Sequence, residues 1–183
     1  MKFQKYMAVG ILGLTMALGF SGCQSENQKN QDAYRKIGIN SMAEGDYDKA
    51  VKSFQKALDT SLGKIGAEEI DICYYKAAAQ FAKKDYDGAI ETYTSLIDYD
   101  KENANAYYLR GSVYLDTDKK DKAFKDYKNA VKYAGREYEI YEGIYENLTN
   151  KGETEEAKNY LKKALDIKPK DGADYAEQGH VYY

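Results

Sequence analysis

Few residues in this chain could carry covalent or metal chemistry, and their spacing narrows what that chemistry is. Among 183 residues there are two cysteines, Cys23 and Cys73, and one histidine, His180. A nucleophile, histidine and carboxylate relay needs its members at convergent positions, and nothing around His180 suggests one. One histidine and one remaining thiol cannot make a tetrahedral zinc cluster. The run Asp116-Thr117-Asp118-Lys119-Lys120-Asp121 has the acidic density of a calcium loop but lacks the central glycine and the distal glutamate, so it reads as a solvated turn. No glycine-rich phosphate cradle follows a strand, because no strand pattern occurs. The sequence predicts no enzyme, no metal site and no cofactor.

Composition points to helices and away from nucleic acid. Hydrophobic residues make up 43% and charged residues 31%, with a single proline and no tryptophan, so little interrupts a helix. The net charge is -3; removing Lys2 and Lys5 with the first 22 residues leaves 25 basic against 30 acidic residues, or -5. Lysine alternates with Asp and Glu along the chain instead of clustering into a phosphate-binding face.

The chemistry of Cys23 is set by what precedes it. Lys2 and Lys5 form a positive start, Met7 to Phe20 is an uncharged, largely apolar run of 14 residues, and small Ser21 and Gly22 follow. A spanning helix takes about 20 apolar residues, so residues 1–22 read as a signal peptide. Phe20-Ser21-Gly22-Cys23 resembles the lipobox of bacterial lipoproteins, with Phe20 where a smaller aliphatic residue is usual. The resemblance implies cleavage before Cys23, a diacylglycerol thioether on its sulfur with palmitate among the fatty acyl groups, and anchorage to the extracytoplasmic face of the bacterial cell membrane. Residues 23–30 then form the lipidated cysteine and a polar tether, expected to stay flexible for want of apolar side chains. Cys73 is left as a lone thiol on a helix face predicted to be buried, hence inert.

The elements that position everything else come from a repeat. Ala89, Ala123 and Ala157 are 34 residues apart, and Ala50 precedes Ala89 by 39. Four residues after each alanine stand Phe54, Tyr93, Tyr127 and Leu161, and three further on Ala57, Leu96, Ala130 and Ala164. Steps of four and three trace one helix face. Twelve residues before the alanines lie Gly38, Ala77, Gly111 and Tyr145, and sixteen before them Tyr34, Cys73, Tyr107 and Tyr141, which places a second amphipathic helix ahead of each first one. Gly45-Asp46-Tyr47 and Lys84-Asp85-Tyr86 supply a breaker, an N-cap and a packing aromatic between them.

A 34-residue helical hairpin with this order of large, small, aromatic and alanine positions resembles the tetratricopeptide repeat. The resemblance implies an all-α, right-handed superhelical solenoid of antiparallel helix pairs over 31–183, with repeats at about 31–64, 70–103, 104–137 and 138–171 and a terminal helix at 172–183. Two departures are expected to disturb its regularity: Tyr145 in a small-residue slot, and five extra residues around Ser61 to Glu69.

In that family the first helix of each hairpin lines a concave surface along which peptides lie. Carried onto this chain, the surface comprises Arg35, Ile39 and Met42, then Tyr74, Ala78 and Phe81, then Asn105, Tyr108 and Ser112, then Glu139, Glu142 and Glu146. It would pass from apolar and aromatic to acidic. Aromatic anchors with a charged flank suit a protein or peptide partner; the alternative is that the tyrosines merely pack and the acids merely solubilise. The carboxylate clamp of the chaperone-binding subclass is not expected, since Ile39, Tyr75 and Leu109 stand at its positions. The functional expectation is a membrane-anchored scaffold or adaptor of the cell envelope. A self-associating subunit is the alternative, because Ala173, Ala176, His180 and Tyr183 in 172–183 are left without an obvious cover, which a second copy would supply in a homodimer. A small-ligand receptor or enzyme comes last.

Overall fold

The hairpin turns decide the architecture, and they repeat to the residue. Gly45, Lys84, Asp118 and Gly152 each precede one of the four register alanines by five residues, and all four have left-handed φ, at +79°, +67°, +57° and +80°. At each turn the next amide reaches back to close the preceding helix: Asp46 N to Ser41 O (2.8 Å), Asp85 N to Gln80 O (2.8 Å), Lys119 N to Tyr114 O (2.8 Å) and Glu153 N to Leu148 O (2.9 Å). This 6→1 bond with a left-handed residue inside it is the Schellman closure. Glycine fills the strained position in two hairpins, whereas Lys84 and Asp118 accept it at a cost.

A computed structural model describes residues 25–61, 63, 65–172 and 179. Those residues form eight α-helices and no strand: α1 (Glu26–Ala43), α2 (Tyr47–Thr60), α3 (Ala67–Ala82), α4 (Tyr86–Tyr99), α5 (Ala104–Asp116), α6 (Lys120–Ala134), α7 (Tyr138–Asn150) and α8 (Thr154–Asp166). None of the helices described is long and apolar enough to cross a membrane. Several starts carry their own caps. Lys49 N donates to Asp46 Oδ1 (3.0 Å), Gly88 N to Asp85 Oδ1 (3.1 Å) and Ala106 N to Asn103 Oδ1 (2.9 Å). Each satisfies one of the amides a helix leaves orphaned at its N-terminus.

Helix α1 begins inside the segment expected to be a tether. Ser25 accepts from Gln28 N (3.3 Å) as its N-cap, and the Glu, Gln and Lys residues that follow are good helix formers. The expectation of 23–30 as flexible chain rested on the lack of apolar residues. That lack explains why Ser25 to Asn30 are all exposed, but it does not prevent a capped helix from extending over them.

The chain divides into two compact units, residues 1–93 and 94–183. In the first, Ala50, Phe54, Ala57, Ile72 and Ala79 are fully buried, with Tyr34, Ile39, Met42, Val51, Leu58 and Tyr75 packed around them. Gly38 on α1 lies against Phe54 so closely that a Cβ there would fall 2.5 Å from Cε1 of the ring. Tyr75 stacks on the same ring at 5.6 Å. On α3 and α4, Thr92 Oγ1 donates to the buried Gln80 Oε1 (2.7 Å).

The second unit is built around tyrosine. Tyr127 is wholly buried on α6, with Gly111 of α5 beneath it, where a Cβ would lie 2.8 Å from Cδ1. Tyr160 of α8 meets it edge-on at 6.2 Å and Tyr108 of α5 at 6.4 Å. Leu161 was expected in the aromatic slot of α8; it is half-buried while Tyr160, one residue earlier, is buried. Tyr145 is likewise half-buried and packed on this core. Beside it runs a buried ion pair: Arg110 Nε to Asp126 Oδ2 (2.7 Å) and Nη2 to Oδ1 (2.9 Å), with Nη1 donating to Thr94 Oγ1 (2.9 Å).

Candidate functional site

Cys23, expected to carry the anchor, and residues 1–22, expected to be its signal peptide, lie outside the described residues. So do His180 and, apart from Gly172 and Gly179, the terminal segment 172–183. The expected first-helix positions are described.

In the first unit these positions are half-open. Arg35 is ion-paired with Asp71 of α3, Nε to Oδ2 at 2.9 Å, and its guanidinium sits 5.3 Å over the ring of Tyr75. Ile39 and Met42 are half-buried against the core. Tyr74 and Phe81 remain half-exposed on α3, although each already meets an aromatic ring of α4: Tyr74 tilts against Tyr93 at 6.3 Å and Phe81 meets Tyr86 at 5.6 Å. Ala78 is buried, 1% exposed, and drops out of the surface.

The second unit corrects two further positions. Tyr108 and Ser112 were expected on an open face and are 9% and 2% exposed. Helix α5 is packed by α6 and also by α7, and Gly143 of α7 leaves a hollow that the Tyr108 ring fills. Ser112 Oγ donates to the Tyr108 carbonyl (2.9 Å) and accepts from Asn147 Nδ2 (2.8 Å), so it is a buried connector and cannot meet a ligand. Asn105 is exposed and its Nδ2 reaches Glu137 Oε2 at 3.4 Å. Glu142 and Glu146 stay half-exposed on one face of α7, with Glu139 exposed beside them.

One arrangement went unrecognised in the sequence. Polar side chains of α1 and α3 pair across the first unit: Gln31 Nε2 donates to Glu69 Oε1 (2.7 Å), Asp32 hydrogen-bonds Glu68, and Arg35 meets Asp71. The partners are 36 to 38 residues apart, close to one repeat length, which is the signal that could have found them. They border a polar cleft of about 380 Å³ lined by Ser25, Gln28, Gln31, Thr60, Glu68 and Glu69 among others. Burial, followed by the contact with Asp32, pushes the Glu68 carboxyl up to about 7. Burial also pushes the Cys73 thiol up, which keeps it protonated and unreactive. No group of three His, Cys, Asp or Glu able to hold a metal ion occurs among the described residues.

Family models match the repeats. One described as TPR repeat matches residues 77–118, and two described as tetratricopeptide repeat match residues 35–93 and residues 104–136 with 146–171. No curated protein matches the chain. Among solved structures, a crystal structure of MamA is 25% identical at a TM-score of 0.60, over 84% of this chain and 82% of that one. TTC0263, a thermophilic tetratricopeptide repeat protein of Thermus thermophilus, is 18% identical at 0.59, covering 83% and 81%. The pilF protein of Pseudomonas aeruginosa is 17% identical at 0.58, covering 87% and 70%. These last two likenesses are of fold.

Proposed function

The chain belongs to the tetratricopeptide repeat family, and on that premise we propose that it is a lipid-anchored adaptor of the bacterial cell envelope that binds protein or peptide segments. The family's stacked hairpins serve as protein-interaction scaffolds and are typically without catalytic activity. The observation that carries the reading is the pattern of burial on the first helices. Their inward sides pack, while Arg35, Tyr74 and Phe81 on one unit and Asn105, Glu142 and Glu146 on the other keep accessible surface. Aromatic and arginine side chains with acidic neighbours are the usual composition of binding hot spots. A basic or mixed segment is the matching partner for the acidic helix α7.

Anchorage rests on the Lys2-to-Cys23 pattern. Labelling cells with radioactive palmitate tests it: the chain takes up label, and Cys23→Ala does not. Incorporation that survives Cys23→Ala overturns the anchor. For binding, a photocrosslinker beside Phe81 captures a discrete partner that Tyr74→Ala no longer yields, and one beside Asn105 captures a partner that Glu142→Lys with Glu146→Lys no longer yields. Capture unchanged by both variants discards the surface. Self-association through 172–183 is the competing proposal, and light scattering of the chain with and without those residues separates the two.

A further inference from the structure

The polar cleft of about 380 Å³ between the start of α1, the end of α2 and the start of α3 falls in the size range of small-molecule sites, about 300 to 1,000 Å³. Its hydrogen-bonding groups are unevenly matched. Thr60 Oγ1 donates to Ala57 O (2.6 Å) and Ser61 Oγ to Leu58 O (2.7 Å), so each hydroxyl has committed its one hydrogen to its own helix and offers the cleft lone pairs alone. Gln31 is 5% exposed, and its Nε2 donates to Glu69 Oε1 (2.7 Å). A carboxylate can only accept, so that bond fixes which way the amide is turned. Gln31 Oε1 then has no partner among the described residues. Two amides at the helix starts are already capped, Gln28 N by Ser25 Oγ (3.3 Å) and Gly66 N by Glu69 Oε2 (2.9 Å).

Charge runs the same way. Among the described residues that line the cleft, Glu68 and Glu69 are ionisable and none is basic. Glu26 and Lys29 stand on the first turns of α1 outside the lining, with opposite charges, and Lys64 lies outside the described residues. Arg35, one turn beyond Gln31, is held by Asp71. Helix α2 ends in the wall at Thr60, and the carbonyl end of a helix favours a cation. Burial, then Asp32 and Glu69, hold the Glu68 carboxyl up at about 7; a cation beside it relieves that crowding. Such a cleft, rich in acceptors and negative, calls for a ligand that brings hydrogens and positive charge.

We propose that this cleft binds a primary ammonium group, whose N–H donors meet Gln31 Oε1, the Thr60 and Ser61 hydroxyl oxygens and the Glu68 carboxylate. The group has two sources, a free aliphatic amine and the ethanolamine headgroup of a lipid. The second rests on the anchor proposed above: Ser25 lines the cleft and is two residues from Cys23, a reach of at most about 7 Å, so acylation there brings the cleft to the bilayer surface.

Amide chemical shifts of the isotope-labelled full chain test this at about pH 8, where Glu68 is mostly ionised. Diaminobutane shifts residues 25–31 and 66–69 saturably. Butanediol, of the same length without charge, and tetramethylammonium, charged but without N–H donors, do not. Glu68→Gln keeps the shape, removes the charge and weakens binding at least about tenfold, while its circular dichroism stays that of the wild type. No saturable shift with diaminobutane, an equal response to tetramethylammonium, or undiminished binding in Glu68→Gln overturns the site. Dihexanoyl phosphatidylethanolamine separates the sources: displacement of the diamine at lower concentration than free ethanolamine requires makes the lipid headgroup the ligand, and no such gain makes it the free amine. A chain that binds the diamine yet takes up no palmitate keeps the site and loses the lipid source.

Discussion

Gly143 on α7 lies directly under the phenol of Tyr108 on α5: a Cβ at 143 would fall 2.2 Å from the Tyr108 hydroxyl oxygen and 2.6 Å from Cζ. The ring is buried and cannot swing away. Gly143→Ala should therefore destabilise the second unit by about 1 to 3 kcal/mol, the usual cost of overpacking a close-fitted core. Adding Tyr108→Phe removes the nearest atom and should return part of the loss. Denaturant midpoints of the two variants decide it; a Gly143→Ala chain as stable as the wild type would show that α5 and α7 are not this close.

The turn residues predict a gain. Lys84 holds φ +67° where Gly45 and Gly152 hold the same turn without strain, and a side chain in that region costs about 1 to 2 kcal/mol. Lys84→Gly should stabilise by about 1 kcal/mol after the entropy glycine adds to the unfolded chain. Asp118→Gly, at φ +57°, should gain less, because aspartate tolerates this region better. Thermal melts of the two variants give the order, and equal or reversed effects would refute it.

Breaking the pair of Arg110 and Asp126 should be costly in one direction and cheap in the other. The Asp126 side chain is 4% exposed and that of Arg110 15%. Arg110→Leu leaves a buried carboxylate with its main partner gone, a loss of about 3 to 5 kcal/mol. Arg110→Leu together with Asp126→Leu should cost much less, since the desolvated charge disappears as well. Urea unfolding of the single and double variants measures the difference.

The buried phenol of Tyr127 sets an alkaline limit. Burial raises its pKa, although its bonds with Ser112 and Asn147 pull the other way. The folded value lies above the free one, so the stability it contributes is complete below about pH 10 and is lost as pH rises beyond. Urea midpoints should fall between pH 9 and pH 11, less steeply in Tyr127→Phe. A residual slope remains in that variant, because burial raises Tyr75, Tyr141 and Tyr160 in the same sense. Identical slopes would exclude Tyr127 as a contributor.

Much of the hairpin register was legible because small residues recur for a geometric reason. Ala50, Ala89, Ala123 and Ala157 are all fully buried, as the 34-residue recurrence required, and Gly38 and Gly111 sit under the rings their register assigned to them. The binding face was less legible. Arg35, Tyr74, Phe81, Asn105, Glu142 and Glu146 keep exposure, but Ala78, Tyr108 and Ser112 do not. The Arg110–Asp126 pair and the polar rungs between α1 and α3 left no trace in a pattern read from apolar residues alone.

Periodicity by itself determined that the chain folds as paired helices and which stripe of each meets its hairpin partner, because apolar residues at steps of three and four have one way to leave water. It could not determine what lies against the other flank of a first helix. Helix α5 is touched by α6 and by α7, and whether Tyr108 points into solvent or core depends on what the second neighbour presents. Here it presents a glycine, and the hollow left by that absent side chain draws the ring inward. Only the packed structure decides that contest, since a polar-edged aromatic is stable in either place until a complementary surface arrives.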